Sequence, residues 1–181
     1  MSARGVALHG GDRLSVLVGG LGLGYTANAA LATGKVDRVR VIELEPAVIR
    51  WLRDDLVPLS LLLASDPRLE VVQADVYGLL LGPARETWDL ILVDVDHSPD
   101  EPLDPASAPF YLPHGLRRVA THLKPGGVLG VWSAGDDDPA FQAALREVFA
   151  EVTVERVEWV NELIDEGREM EDVVFFARGV R

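Results

Sequence analysis

Cysteine is absent from the 181 residues, which excludes disulfides, thiolate catalysis and cysteine-ligated zinc. Long apolar runs are also missing. The longest, Leu56 to Ala64, is broken by Pro58 and Ser60 and falls short of the roughly 20 residues a membrane helix needs. The N-terminal "MSARGVALHGGDR" lacks the apolar core of a signal peptide, so the chain is read as cytoplasmic with no membrane partner. Basic residues are scarce, 17 against 29 acidic ones, for a net charge of −12. That balance repels phosphate backbones and argues against a nucleic-acid partner. It suits a cationic small molecule, although solubility accounts for most of the charge. There is no internal repeat and no phosphate loop ending in GK[ST]. Ser133 lacks the spacing of a nucleophile elbow. His9, His114 and His122 stand alone, as surface or helix residues.

What the chain does have is alternation. Strand-like segments begin at Leu14–Val18, Val39–Glu43, Leu69–Gln73, Trp88–Asp94 and Gly127–Ser133. Helical segments lie between them: Tyr25 to Thr33, Pro46 to about Leu56, a short one ending at Leu81, and Pro113 to Leu123. Asp138-Pro139 opens another helix, with an N-cap followed by proline at the first helical position. Val152–Val160 and Asp172–Arg178 read as an antiparallel pair closing the sheet. This pattern predicts an α/β fold, Rossmann-like and doubly wound, with a mostly parallel seven-stranded sheet. Residues 1–13 form an N-terminal segment and 14–181 a single nucleoside-binding domain.

In such sheets ligands sit beyond the C-terminal strand ends, at the switch point. Those ends carry the glycine loop, Glu43, Asp75 and Asp94. Strand ends need no carboxylates for stability, so three acids in four positions point to function. Gly20, Gly22 and Gly24 allow a tight turn and close approach of a ligand to the next helix. Glu43, about 20 residues beyond, is placed to accept hydrogen bonds from ribose hydroxyls. Asp75 can accept from an adenine amino group or cap the following helix. Asp94 opens "DVDHSPDEPLD", which holds five carboxylates and one histidine. As a general base or orienting group it would be catalytic. A calcium loop is ruled out because Pro99 and Pro105 occupy positions that need glycine and glutamate, and no metal is expected.

The segments "VLVGGLGLG", "VIELEPAVI", "VVQADVYGLL", "WDLILVDVDHSP" and "LKPGGVLGVWS" resemble, in order and spacing, the catalytic domain of spermidine synthases. More broadly they resemble class I S-adenosylmethionine-dependent methyltransferases. The resemblance implies that Glu43 binds ribose, Leu44 packs on adenine, Asp75 holds the adenine amino group beside Val76, and Asp94 readies an attacking amine. Asp96 and His97 would assist on the acceptor side; Tyr111, in "PFYLPHG", either lines that side as well or packs under the loop. The departures are specific. Gly22 stands where spermidine synthases carry an aspartate for the aminopropyl amine, and His97 where they carry a second loop aspartate. Only about a dozen residues precede the first strand, in place of their N-terminal β-rich domain.

Four readings remain open on sequence grounds. The first is methyl transfer from S-adenosylmethionine to a small acceptor, such as a cationic amine. The second is polyamine aminopropyl transfer from decarboxylated S-adenosylmethionine. The third is an NAD-dependent dehydrogenase, since Gly22 to Ala27 fits G-x-G-x-x-[GA]. The last is a nucleoside-binding partner protein without catalysis. A homodimer is compatible with all four.

Overall fold

Leu14–Gly19 and Trp88–Val93 are buried along nearly their whole lengths, as expected of central strands covered on both faces. They pair with each other in parallel, Val16 opposite Leu90 and Gly19 opposite Val93. In the computed structural model, which describes residues 1–95, 104–134, 137–160 and 169–181, they are β1 and β4 of a seven-stranded sheet. β2 is Val36–Glu43, β3 Leu69–Gln73, β5 Leu123–Ala134, β6 Phe149–Val160 and β7 Glu169–Val180, and the strand order is β3-β2-β1-β4-β5-β7-β6. β7 runs antiparallel to both β5 and β6. The order reverses between β1 and β4, which makes their C-terminal ends the switch point.

Helices cover both faces. α1 (Ser2–His9), α2 (Tyr25–Ala32), α3 (Pro46–Arg53) and α4 (Ser60–Ala64) are followed along the chain by α5 (Val76–Leu81), a 3-10 turn at Pro105–Tyr111, α6 (Pro113–Ala120) and α7 (Pro139–Val148). One buried cluster contains Trp88, Phe110, Phe141, Phe149 and Phe175. The other, around Val16, Val18, Leu31, Leu92 and Phe176, includes Val6 of α1. No described helix is long and apolar enough to cross a membrane.

Caps explain several boundaries. Asp138 accepts from the Ala140 and Phe141 amides and starts α7, with Pro139 at the first helical position. α3 stops at Arg53 rather than near Leu56, because Asp55 adopts φ 57, outside helical geometry. α6 ends at Ala120 rather than Leu123, and β5 begins at Leu123 rather than Gly127, so that "KPGG" lies within the strand. The sequence reading assigns no element to residues 1–13, yet eight of them form α1, and α4 and the 3-10 turn are likewise additional. His122 is 2% exposed, with Nε2 3.2 Å from the Gly82 carbonyl, so it is a core residue and not a surface one. Burial holds its pKa below the usual histidine value, although the Gly82 and Leu80 backbone acts in the opposite direction.

Candidate functional site

The C-terminal ends of β1, β2 and β4, with the loops that follow them, enclose a cleft of about 940 Å³. Its first wall is the glycine loop. Gly20 has φ 93, and a Cβ there would lie 2.1 Å from the Asp94 carbonyl oxygen, so only glycine lets β1 and β4 end this close together. Gly24 takes φ 85 as the N-cap of α2 and abuts Leu63. Gly22 is exposed with φ 49, and open space surrounds its Cβ position.

Glu43 ties the loop to the end of β2. It is 8% exposed. Its Oε2 accepts from the Leu21 amide and its Oε1 from the Glu45 amide, both at 2.8 Å. Each carboxylate oxygen has a second lone pair, so two hydroxyl donors can still be accepted from the cleft side. Asp75 caps α5, accepting from the Tyr77 amide at 2.9 Å and the Gly78 amide at 3.0 Å, and it also lines the cleft. The two roles weighed for Asp75 in the sequence are therefore geometrically compatible. Leu44, 60% exposed, and Val76, buried, complete this end.

Asp94 sits at the opposite wall. Its amide donates to the Gly19 carbonyl at 2.8 Å, continuing the parallel ladder one residue past β4. The Thr26 hydroxyl, in the first turn of α2, donates to Asp94 Oδ2. Thr26 is held in turn from below, where the buried Ser2 hydroxyl donates to its carbonyl at 2.7 Å. Thr26, Tyr77, Asp104 and Ser107 all line the cleft, and the sequence reading singles out none of them as site residues. Tyr77 follows Asp75 by two residues, a spacing that hints at its position. Thr26 lies 68 residues from Asp94 and carries no such signal.

Of the residues expected at the site, Gly20, Gly22, Glu43, Leu44, Asp75, Val76 and Asp94 line one cleft. Gly24 lies behind its wall, at the start of α2. Tyr111 is not among the lining residues. It is 7% exposed, its hydroxyl lies 2.8 Å from that of Tyr77, and its ring packs edge-on against Phe110 and Phe141. It backs the cleft through Tyr77 and offers no described surface to an acceptor. Burial raises the pKa of both phenols, and at Tyr77 the neighbouring Tyr111 adds to the effect, so both stay protonated and neutral. Asp96 and His97 lie outside the described residues.

The charge of the cleft is one-sided. Glu43, Glu45, Asp75, Asp94 and Asp104 line it, and among the described lining residues there is no lysine, arginine or histidine. Apart from these groups the walls are mainly aliphatic and aromatic. A flat apolar ligand body bearing positive charge is complementary to such a surface.

No family model matches the chain. It is 32% identical over 152 residues to a polyamine aminopropyltransferase of Nitrosomonas europaea, covering 80% of this chain and 44% of that protein. A polyamine aminopropyltransferase of Aeropyrum pernix is 28% identical over 122 residues, covering 67% and 37%. Putrescine N-methyltransferase 2 of Nicotiana attenuata is 29% identical over 114 residues, covering 63% and 29%. The chain thus spans less than half the length of these relatives. Among solved structures, spermidine synthase from Thermotoga maritima superposes with a TM-score of 0.71 at 23% identity, over 98% of this chain and 57% of that one. Human methyltransferase-like protein 13, in complex with SAH, gives 0.69 at 22% identity, over 95% and 74%. Those identities speak for the fold alone; it is the sequence relatives, together with the motif order, that place the chain in the spermidine synthase-like branch of the class I S-adenosylmethionine-dependent methyltransferase superfamily.

Proposed function

We propose that the chain is a transferase that moves the methyl group of S-adenosylmethionine to a small amine. The observation that carries this reading is the cleft charge, five carboxylates and no cation among the described lining residues. A sulfonium donor and an amine acceptor are both cationic and gain from that field. The pyrophosphate of a dinucleotide would be repelled by it, which removes support from the dehydrogenase reading. Glu43 would take the ribose hydroxyls on its remaining lone pairs, and Asp75 the adenine amino group, with Leu44 and Val76 against the ring. Asp94, fixed by Thr26, would orient the amine and accept the proton it sheds as its nitrogen bonds to the methyl carbon and the carbon–sulfur bond breaks. The donor supplies an already activated leaving group, so alignment is the protein's main contribution.

Aminopropyl transfer is the second reading. The relatives from Nitrosomonas europaea and Aeropyrum pernix bear that activity in their names, and the acidic cleft favours a doubly charged donor. Against it stands Gly22, which leaves the glycine loop without a carboxylate for the aminopropyl ammonium. Calorimetric titration with S-adenosylmethionine and with its decarboxylated form, side by side, tests both. The expected result is tighter binding of the carboxylated donor, weakened at least tenfold by Glu43→Ala. Preference for the decarboxylated form would reverse the order of the two readings. Binding of neither, or affinity unchanged by Glu43→Ala, would remove the nucleoside site itself.

A further inference from the structure

A second cavity, of about 400 Å³, is lined in part by α5, as the cleft is, but the two share no lining residue. Leu17 of β1, Arg40 of β2 and Trp88, the first residue of β4, form its sheet side, and the end of α5 with Gly82 and Pro83 forms the other. Glu86 and the exposed Arg85 also line it. An ion network covers its aromatic floor. The guanidinium carbons of Arg38 and Arg40 lie 5.0 and 5.3 Å from the centroid of the Trp88 ring. Glu86 accepts from Arg38 through Oε1 and from Arg40 through Oε2, and Glu70 accepts from Arg40 Nε at 2.8 Å. Both oxygens of Glu86 are thus engaged, while basic donors are left over. Arg40 Nη2 has no partner among the described residues, and Arg85 makes no ion pair or hydrogen bond to any of them. The Gly82 carbonyl, at the negative end of α5, is engaged by the buried His122.

These charges narrow the occupant. Three guanidinium groups, of Arg38, Arg40 and Arg85, meet two carboxylates, of Glu70 and Glu86, which leaves one positive charge in excess. The cleft has the opposite sign, so the two cavities suit opposite ligands. A cation here would face Arg85 and find both Glu86 oxygens taken. An anion finds two free sets of N–H donors, and the planar guanidinium fork matches a carboxylate. Leu79 and Pro83 offer apolar walls to a short hydrocarbon body. The cavity also bears on the cleft. α5 has only six residues. Gly78 lines the second cavity, and its amide donates to Asp75 Oδ2 at 3.0 Å, while Asp75 and Tyr77 line the cleft. The Gly78 carbonyl accepts from the Gly82 amide at 3.2 Å, so one short helix joins both walls.

We infer that this cavity binds a small organic carboxylate between Arg40 and Arg85, and that its occupant steadies α5 and with it the Asp75 cap at the cleft. Neither part depends on which group the cleft transfers. Amide-resolved NMR titration of the full chain with sodium benzoate tests the site. Saturable shifts are expected at the Gly78, Gly82 and Arg85 amides, with a dissociation constant of about 1 mM for so small a ligand. Benzylamine, an aromatic ring of the same size bearing the opposite charge, should not saturate them. Arg85→Gln should weaken benzoate roughly tenfold or more, and Arg85→Lys should recover part of the loss. Arg85 is exposed, so neither variant should move the thermal midpoint. Benzoate should also slow amide exchange at Tyr77 and Gly78, the two amides that Asp75 holds, about threefold in the wild type and not in Arg85→Gln. No saturation up to about 50 mM, equal binding of benzylamine, shifts confined to the cleft, or indifference to Arg85→Gln overturns the site. Unchanged exchange at Tyr77 and Gly78 in the benzoate-saturated protein overturns the link through α5.

Discussion

Thr26 and Asp94 belong to different walls of the cleft, and one hydrogen bond joins them. A hydroxyl donating to a carboxylate fixes the torsion of the acid and biases which oxygen faces the acceptor. Removing such a charge-assisted bond costs about 1.5–3 kcal/mol. Thr26→Val keeps the volume and loses the donor, so turnover should fall about tenfold or more while donor affinity, measured by calorimetry, stays within about twofold. Thr26→Ser should recover most of the loss. Full turnover in the valine variant would show that Asp94 is oriented by something else. Glu43, Asp75 and Asp94 are legible in the sequence because each follows an apolar strand, where packing has no use for an acid. Thr26 is not legible, since its partnership exists only once α2 is laid over the end of β4. Tyr111 shows the reverse case. Its phenol suits an acceptor wall, and nothing in "PFYLPHG" reveals that Tyr77 already occupies its hydroxyl.

At the scale of elements, α1 depends on tertiary contacts. Its N-cap, Met1, makes no side-chain bond, its first turn has no acid, and Gly5 lies within it. The glycine brings α1 close to β4, where a Cβ would sit 2.9 Å from Leu90 Cδ2. A helix whose local signals are this weak is invisible to periodicity, whereas β1 and β4 announce themselves through unbroken apolar runs. α4 has only five residues, too few for any period to show. Asp89 helps to secure this end of the sheet. It accepts from the Ser15 amide, the Ser15 hydroxyl and the Lys124 ammonium, each at 2.8 Å, and His9 of α1 lies 3.7 Å away. Burial opposes its ionisation, but these donors outweigh it and hold the carboxyl below the usual aspartate range. A depressed pKa contributes stability above the unfolded value of about 4, and loses it as pH falls through the lower folded value. Asp89→Asn should therefore lower the thermal midpoint at pH 7, and the deficit should shrink progressively as pH is brought below about 4. A deficit independent of pH would mean that Asp89 acts through packing and not through its charge.

For the whole molecule, the −12 charge and the five cleft carboxylates act in the same direction on a cationic ligand, but they respond differently to salt. Distant surface charges are screened once the Debye length drops below their separation, about 10 Å at 0.1 M and 3 Å at 1 M. Contacts within the cleft persist. S-adenosylmethionine carries one net positive charge, its decarboxylated form two, and the thioether product S-adenosylhomocysteine none. All three share the adenosyl body that Glu43 and Asp75 are placed to hold. Raising sodium chloride from about 0.05 M to 0.5 M should therefore weaken the doubly charged ligand most, the singly charged one less, and the neutral one hardly at all. Calorimetric dissociation constants at several salt concentrations read this order directly. Parallel weakening of all three would show that salt acts on the protein itself, for example on the association of its copies. Flat responses from all three would mean that the carboxylates are neutralised inside the cleft, by their own hydrogen-bond donors or by groups beyond the described residues. The field would then have no part in selecting the donor, and the choice between methyl and aminopropyl transfer would rest on the shape of the loop at Gly22.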